Sequence, residues 1–289
     1  MSFSTDWLAL REAFDRTARE DAGLDLAELT ARPLHVLDLG CGTGANLRFL
    51  APRLGGHQVW HLVDHDARLL AALPRTMAAW AEKQRLALHE FGAESLRLEG
   101  QGWSAELHWQ CADLASELDA LPFQGAHLVT ASALLDLVSL PWLEALIAKL
   151  RDANAALLCA LNVDGRLDWK PLVAGDVQVQ QLFAAHQQRD KGFGPALGAD
   201  AVRLAVERLD AQGYRCVQAP GDWQIAPSCG AMLETMIDGL ANAAMEQDSG
   251  ARDPVLTWRL RRLALAAQTS LRVGHLDLLA LPGSAGAAR

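Results

Sequence analysis

The sequence predicts a doubly wound α/β protein: a seven-stranded, mostly parallel sheet with helices on both faces, an extra helix at the N-terminus and a helical insertion before the last strand. Three observations lead there. An apolar run, Val36–Leu39, ends in the glycine-dense turn Gly40-Cys41-Gly42-Thr43-Gly44 and opens a helix. Apolar runs of strand length then alternate with stretches of helical periodicity, the pattern of parallel strands joined by crossover helices. Finally, Asp38, Asp64, Asp113 and Ser132 fall at the carboxyl ends of successive predicted strands, the edge where open α/β sheets bind ligands.

The elements follow in order. Trp7, Leu8, Leu10, Phe14 and Ala18 share one face of a helix over about Thr5–Glu20, within an N-terminal helical cap, 1–32. After the glycine turn, Leu47, Leu50, Ala51 and Leu54 keep helical spacing until Gly55-Gly56, and Pro52 predicts a kink or an early end. Strand two is Val59–Val63, closing on Asp64. The next helix carries Leu69, Leu70, Leu73, Met77 and Trp80, with Pro74 raising the same expectation of a break. Strand three is Leu107–Leu114 and strand four Ala126–Ser132. Leu143, Leu146, Ile147 and Leu150 form the buried stripe of a helix opened by Ser139 or Pro141, and Ala155–Leu161 is the fifth strand. These elements complete a core of 33–162.

Beyond Asn162 the pattern loosens. A glutamine-rich helix over about 177–189 and the glycine-rich run Lys191–Gly198 make 163–199 either a lid over the ligand edge or a structural connector. Val202, Ala205, Val206 and Leu209 mark a helix closed by Gly213, with a strand starting at Tyr214. Helices at Cys229–Met245 and Pro254–Ser270 form the insertion, 229–270, before a last strand at Leu271–Leu281. The 289 residues, 51% of them hydrophobic, are expected to form one enlarged domain, 1–289, with a frayed tail at Gly283–Arg289.

Composition narrows the function classes. The formal charge is −9 and no basic stripe is present, which argues against nucleic acid; Arg259, Arg261 and Arg262 read as a solvated helix face. The five cysteines show no C-x-x-C spacing, so neither a metal site nor a disulfide framework is expected. No basic segment followed by a long apolar stretch opens the chain. A cytoplasmic protein without membrane contact is therefore expected, its oligomeric state unassigned.

The glycine turn admits two nucleotide-like ligands, because Gly40-x-Gly42-x-x-Ala45 also satisfies a dinucleotide pattern. With Asp38 two residues before the first glycine and Gly44 two after the second, the run resembles the D-x-G-x-G-x-G motif of the class I S-adenosylmethionine (SAM) dependent methyltransferases, which have a Rossmann-like fold. A carboxylate suits a ligand with an ammonium and a sulfonium and repels a pyrophosphate. The resemblance implies that Asp38, Gly40, Cys41, Gly42 and Gly44 cradle the cofactor. Asp64, about 20 residues beyond a glycine loop, suits the ribose hydroxyls, with His65 beside the adenine. Asp113 and Leu114, ahead of Leu121-Pro122-Phe123, resemble the segment that receives the adenine amine, and Ser132 lies in the motif under the methionine part. Ala131-Ser132-Ala133-Leu134 stands where nucleic-acid amino methyltransferases carry [N/D]-P-P-[Y/F], which makes a base in DNA or RNA an improbable target.

The resemblance thus implies methyl transfer from SAM to a small-molecule acceptor. Such chemistry needs donor and acceptor held in line, and a base only where the acceptor must lose a proton. His186 in the lid and Asp136 after strand four are the candidates for that role. Arg11, Arg16 and Arg19 could reach the cofactor's carboxylate or pair with Glu12, Asp15 and Glu20. An NAD(P)-dependent oxidoreductase and a catalytically inactive SAM-binding regulator remain the alternatives.

Overall fold

In the computed structural model, which describes residues 4–92 and 94–283, the chain opens with helix α1 (Thr5–Ala22). Ser4 caps it by accepting a hydrogen bond from the Trp7 amide at 3.1 Å, and Gly23 ends it in the left-handed conformation. Strand β1 (Leu34–Leu39) leads through the glycine turn into α2 (Ala45–Leu54). Then come β2 (Gly56–Asp64) and α3 (Ala67–Gln84), the latter capped by Asp66. Strands β3 (Ala87–Gly92) and β4 (Ser95–Gly100) form an antiparallel hairpin ahead of β5 (Trp103–Cys111). Strand β6 (Leu128–Ser132), α4 (Leu140–Ala153, capped by Ser139) and β7 (Ala156–Lys170) follow. The remainder is α5 (Asp176–Gln187), α6 (Ala201–Ala211), β8 (Tyr214–Pro220), β9 (Trp223–Ile225), α7 (Gly230–Gln247), α8 (Arg252–Ala264) and β10 (Ser270–Pro282).

The strands make one sheet in the order β3-β4-β5-β2-β1-β6-β7-β10-β8, with β9 paired to β10. Its centre, β5-β2-β1-β6-β7, is parallel; β10 runs antiparallel between β7 and β8. The sheet therefore has ten strands, not seven. The extra ones are the β3–β4 hairpin, which extends one edge and buries Leu96 and Leu98, and the short β9. Both proline expectations fail in part. The α3 helix passes through Pro74 because Leu69, Leu70, Leu73, Met77 and Trp80 are buried along its inner face, whereas α2 ends at Leu54, shortly after Pro52.

Three buried clusters hold the layers together. One lies between the sheet and α4 and α6, and a second between the sheet and α2 and α3. Each fully buried leucine, such as Leu37 or Leu62, contributes about 2 kcal/mol of transfer free energy. The third cluster joins α1, α5, α7 and α8 to the far end of β7 and to β9. It exists because Val163–Lys170, expected within a lid, instead continues β7 and supplies a wall for those helices. The glutamine-rich helix α5 is fastened there: Arg262, fully buried in α8, forms an ion pair with Asp176, and Trp258 Nε1 donates to the same carboxylate at 2.8 Å. Hence Arg262 is not on a solvated face. Among the described residues no helix is long and apolar enough to cross a membrane, and the tail beyond Gly283 lies outside them.

Candidate functional site

The glycine turn is held against strand β2 by main chain and by one carboxylate. Val63 O accepts from the amides of Gly40 and Cys41 at 2.9 and 3.0 Å, while Asp64 accepts from Gly42 N at 2.8 Å and Asp66 N at 2.9 Å. Gly40 and Gly42, with φ of 69° and 55°, expose backbone where a side chain would crowd the approach. Gly44 serves a different purpose: a Cβ there would sit 2.2 Å from Met77 Cε, so this glycine lets α2 and α3 close together.

Above the turn, at the carboxyl edge of the sheet, lies a cavity of about 500 Å³ whose walls include Gly40, Gly42, Asp64, His65, Asp113, Leu114 and Ser132. Asp113 and Leu114 reach it from the loop beyond β5, which ends at Cys111, earlier than the sequence implied. There Asp113 caps a turn, accepting from Ala115 N and Ser116 Oγ. Asp38, Cys41 and Gly44 are not in its wall. Asp38, only 1% exposed, sits beneath α2, where Asn46 Nδ2 donates to its Oδ1 at 2.7 Å and Arg19 Nη1 donates to Asn46 Oδ1 at 2.8 Å. Its Oδ2 has no partner among the described residues, and burial pushes the carboxyl up to about 7 against the opposing influence of Asn46 and Arg19. Cys41 is buried in the core, its thiol pushed well above the ordinary range.

A second cavity, of about 380 Å³, abuts the first. Its walls are largely apolar: Trp7 of α1, Leu161, Val163 and Leu167 of β7, Phe183 of α5, Met236 and Leu240 of α7, Val273 of β10. Arg11, Ala133, Leu137 and Lys191 belong to both cavities and mark where they meet. Ala133, just beyond the end of β6, and Leu161, within β7, have φ of 54° and 58°, a conformation that costs a non-glycine residue about 1 kcal/mol or more. Such outliers gather where backbone shape matters to a ligand.

No family model and no curated protein matches the sequence. Solved structures do: a cyclopropane-fatty-acyl-phospholipid synthase-like protein from Lactobacillus casei superposes with a TM-score of 0.54 at 12% identity, over 96% of this chain and 94% of that one. The chain shares the Rossmann-like fold of that protein. Looser similarity extends to the precorrin-6y C5,15-methyltransferase of Geobacter metallireducens (11% identity, 89% and 84% of the two chains, TM-score 0.43). The same holds for a cyclopropane synthase of Mycobacterium tuberculosis (11%, 96% and 86%, 0.42).

In this fold the two catalytic candidates of the sequence, Asp136 and His186, both line the apolar cavity. Asp136 is 7% exposed, its Oδ1 has no partner among the described residues, and burial pushes its carboxyl up to about 6, with a backbone hydrogen bond and then Arg11 pulling the other way. His186 is buried, with Nε2 at 3.1 Å from Glu246 Oε2 and Nδ1 at 3.4 Å from Lys191 Nζ. Burial and then Lys191 hold its pKa below the ordinary value. His186 is thus a residue of the cavity wall rather than of a polar surface.

One cavity residue carried no role in the sequence reading. His275 of β10 is 2% exposed; its Nδ1 lies 3.1 Å from Val273 O, which can only accept, so the proton sits on Nδ1 and Nε2 keeps a lone pair. Burial drives its pKa down to about 4. Its signal was a histidine, followed by Asp277, inside an otherwise apolar strand. For the helices of 229–270 the sequence left open a cover for the pocket, a dimer surface or a thickened core, and α7 does wall the apolar cavity. Of the three N-terminal arginines, Arg19 is committed to Asn46 and the face of Phe49, Arg16 lies near Glu12, and Arg11 alone reaches the cavities.

Proposed function

We propose that this protein transfers a methyl group from SAM to a small, largely apolar acceptor. The observation that carries the reading is the pair of abutting cavities at the carboxyl edge of the sheet, one polar and beside the glycine turn, the other apolar. In-line transfer between two bound molecules calls for that arrangement.

The residues present fit the cofactor. Gly40 and Gly42 leave the backbone open. Asp64 already accepts two amide hydrogen bonds, but a carboxylate has about four lone-pair sites, which leaves capacity for ribose hydroxyls. His65 and Asp113 line the same chamber and would receive the adenine, Leu114 would pack against it, and Ser132 would lie beside the methionine part. The orphaned Oδ2 of Asp38 suits an ammonium by charge, although Asn46 and Arg19 cover it in this arrangement. SAM would supply a methyl already activated by its sulfonium. The protein's part is then to align, to exclude water and to move a proton where the acceptor has one to lose. Asp136, unpartnered in the apolar chamber, takes the proton of a hydroxyl acceptor, and His186, braced by Glu246 and Lys191, closes the rim.

A nicotinamide dinucleotide fits less well, because its pyrophosphate would lie at the glycine turn with the Asp38 carboxyl behind it. Mass spectrometry of ligand released from purified protein, with calorimetric titration of S-adenosylhomocysteine, tests the reading. Asp64→Ala should weaken binding by about tenfold or more, the worth of a charge-assisted hydrogen bond of about 1.5–3 kcal/mol. Recovery of a nicotinamide nucleotide, or equal affinity in wild type and variant, would refute it.

A further inference from the structure

We infer that the acceptor carries an anionic oxygen, bound by Arg11 and Lys191 where the two cavities meet; the word acceptor here rests on the methyltransferase reading above. Only four residues line both cavities, and the two ionisable ones among them are both cations.

Arg11 is 91% buried by its 9% exposure, an unusual place for a guanidinium without a purpose. Its Nε is engaged by both oxygens of Asp15, at 2.9 and 3.2 Å, and its plane lies over Trp223, 5.0 Å from the ring centroid. Trp223 Nε1 in turn donates to Asp15 at 3.0 Å, so the guanidinium is clamped from two sides. Among the described residues nothing hydrogen-bonds its two terminal nitrogens. A planar fork with both tips free, fixed at the boundary of a cavity, matches a carboxylate or another oxyanion. Lys191 approaches the same boundary from the glycine-rich loop, and its ammonium has one polar contact, Nδ1 of His186 at 3.4 Å. The other nitrogen of that ring is turned to Glu246, so His186 holds Lys191 without neutralising it.

The anion is assigned to the acceptor because the cofactor has another site for its own carboxylate. The N-terminus of α2 follows Gly44 with no side-chain cap and so keeps free amides, which face a small recess beside Ala45, Asn46 and Ser132 where Arg16 and Arg19 stand with Glu12 and Asp15. The rest of the second chamber, from Trp7 to Leu240, would enclose an apolar body. The chemical class is therefore an apolar molecule with one oxyanionic head at the junction, either a carboxylate or a hydroxyl ionised with the help of Asp136.

Calorimetric titration with 2-naphthoate, its neutral analogue 2-naphthamide, and S-adenosylhomocysteine tests this in wild type, Arg11→Met and Lys191→Met. Wild type should bind the acid about tenfold or more tightly than the amide. Either variant should lose about tenfold for the acid while the amide and S-adenosylhomocysteine change less than about threefold. Equal affinity for acid and amide overturns the proposal, as does a loss that falls on S-adenosylhomocysteine instead. Lys191 sits on a half-exposed loop, so its variant stays informative if Arg11→Met unfolds. Titration with 2-naphthol separates the two sources: binding that rivals the acid and is lost in Asp136→Asn assigns an ionisable hydroxyl, and preference for the acid assigns a carboxylate. A wild type that binds 2-naphthoate but no S-adenosylhomocysteine would sink the methyltransferase reading and leave the anion site standing.

Discussion

Asp38→Asn should flatten the pH dependence of folding stability. In the folded chain the Asp38 carboxyl titrates near 7 rather than at its ordinary 3.8, chiefly because it is buried, and its Oδ2 is unpartnered. The folded state therefore holds this proton more tightly than the unfolded state. Its stabilising contribution is complete below about pH 4 and is lost as pH rises through 7. Roughly three units at about 1.4 kcal/mol each set a ceiling on the order of 4 kcal/mol across the whole window. Between pH 6 and 8 the same linkage leaves about 1 kcal/mol. Asp136 and Asp277, each raised to about 6, are about half titrated at the start of that window, but they are common to wild type and variant and cancel in the comparison. His275, lowered to about 4, acts in the opposite direction: its stabilising contribution is present above about pH 6.5 and is lost on acidification, and it is common to both proteins. The substitution keeps an oxygen for Asn46 and removes only the ionisation. Urea unfolding of both proteins at pH 6, 7 and 8 should give wild-type stabilities that fall about 1 kcal/mol further than those of the variant. Parallel pH profiles would refute the reasoning.

Four other outcomes are expected. Gly44→Ala should destabilise by about 1–3 kcal/mol in urea, since φ is +80° and the new Cβ would sit 2.2 Å from Met77 Cε; a change below about 0.5 kcal/mol would show that Met77 simply moves aside. Gly239, in the middle of α7 and in the wall of the apolar chamber, has nothing within 4 Å of a built Cβ, so Gly239→Ala should raise stability by up to about 1 kcal/mol, measured as a shift in urea midpoint. Gly239→Phe should fill the chamber, weakening 2-naphthoate by about tenfold in calorimetry with S-adenosylhomocysteine unchanged. His186→Ala should slow methyl transfer while leaving S-adenosylhomocysteine affinity within about twofold; unchanged turnover, once an acceptor is known, removes His186 from the mechanism.

The central sheet was legible in the sequence because its strands are buried on both faces and read as apolar runs, and because a glycine turn with acids at strand ends has few uses. Asp64, His65, Asp113, Leu114 and Ser132 do converge on one chamber. Asp38 does not join them, since strand-end position fixes a residue's level in the sheet but not which neighbouring helix covers it; Asn46 and Arg19 come from α2 and α1. The β3–β4 hairpin escaped because a half-buried edge strand offers only weak alternation, as at Leu96 and Leu98. The extension of β7 past Asn162 was hidden by Asp164, Gly165 and Arg166, polar residues that a strand tolerates where its partner, here β10, is bulged. Arg11 and Arg262 looked solvated for one reason: a sequence shows a charge but not the partner that lets it be buried.

Because α7 is a contiguous stretch inserted between β9 and β10, and because it lines only the apolar chamber, one wall of that chamber can vary within a single span of the chain. Evolution or an engineer could exchange that one span and redraw which molecules are accepted without disturbing the glycine turn. Its anchor, the Arg262–Asp176 bond between α8 and α5, would travel partly with the exchanged piece, so a graft covering Gly230–Ala264 must keep a guanidinium facing Asp176.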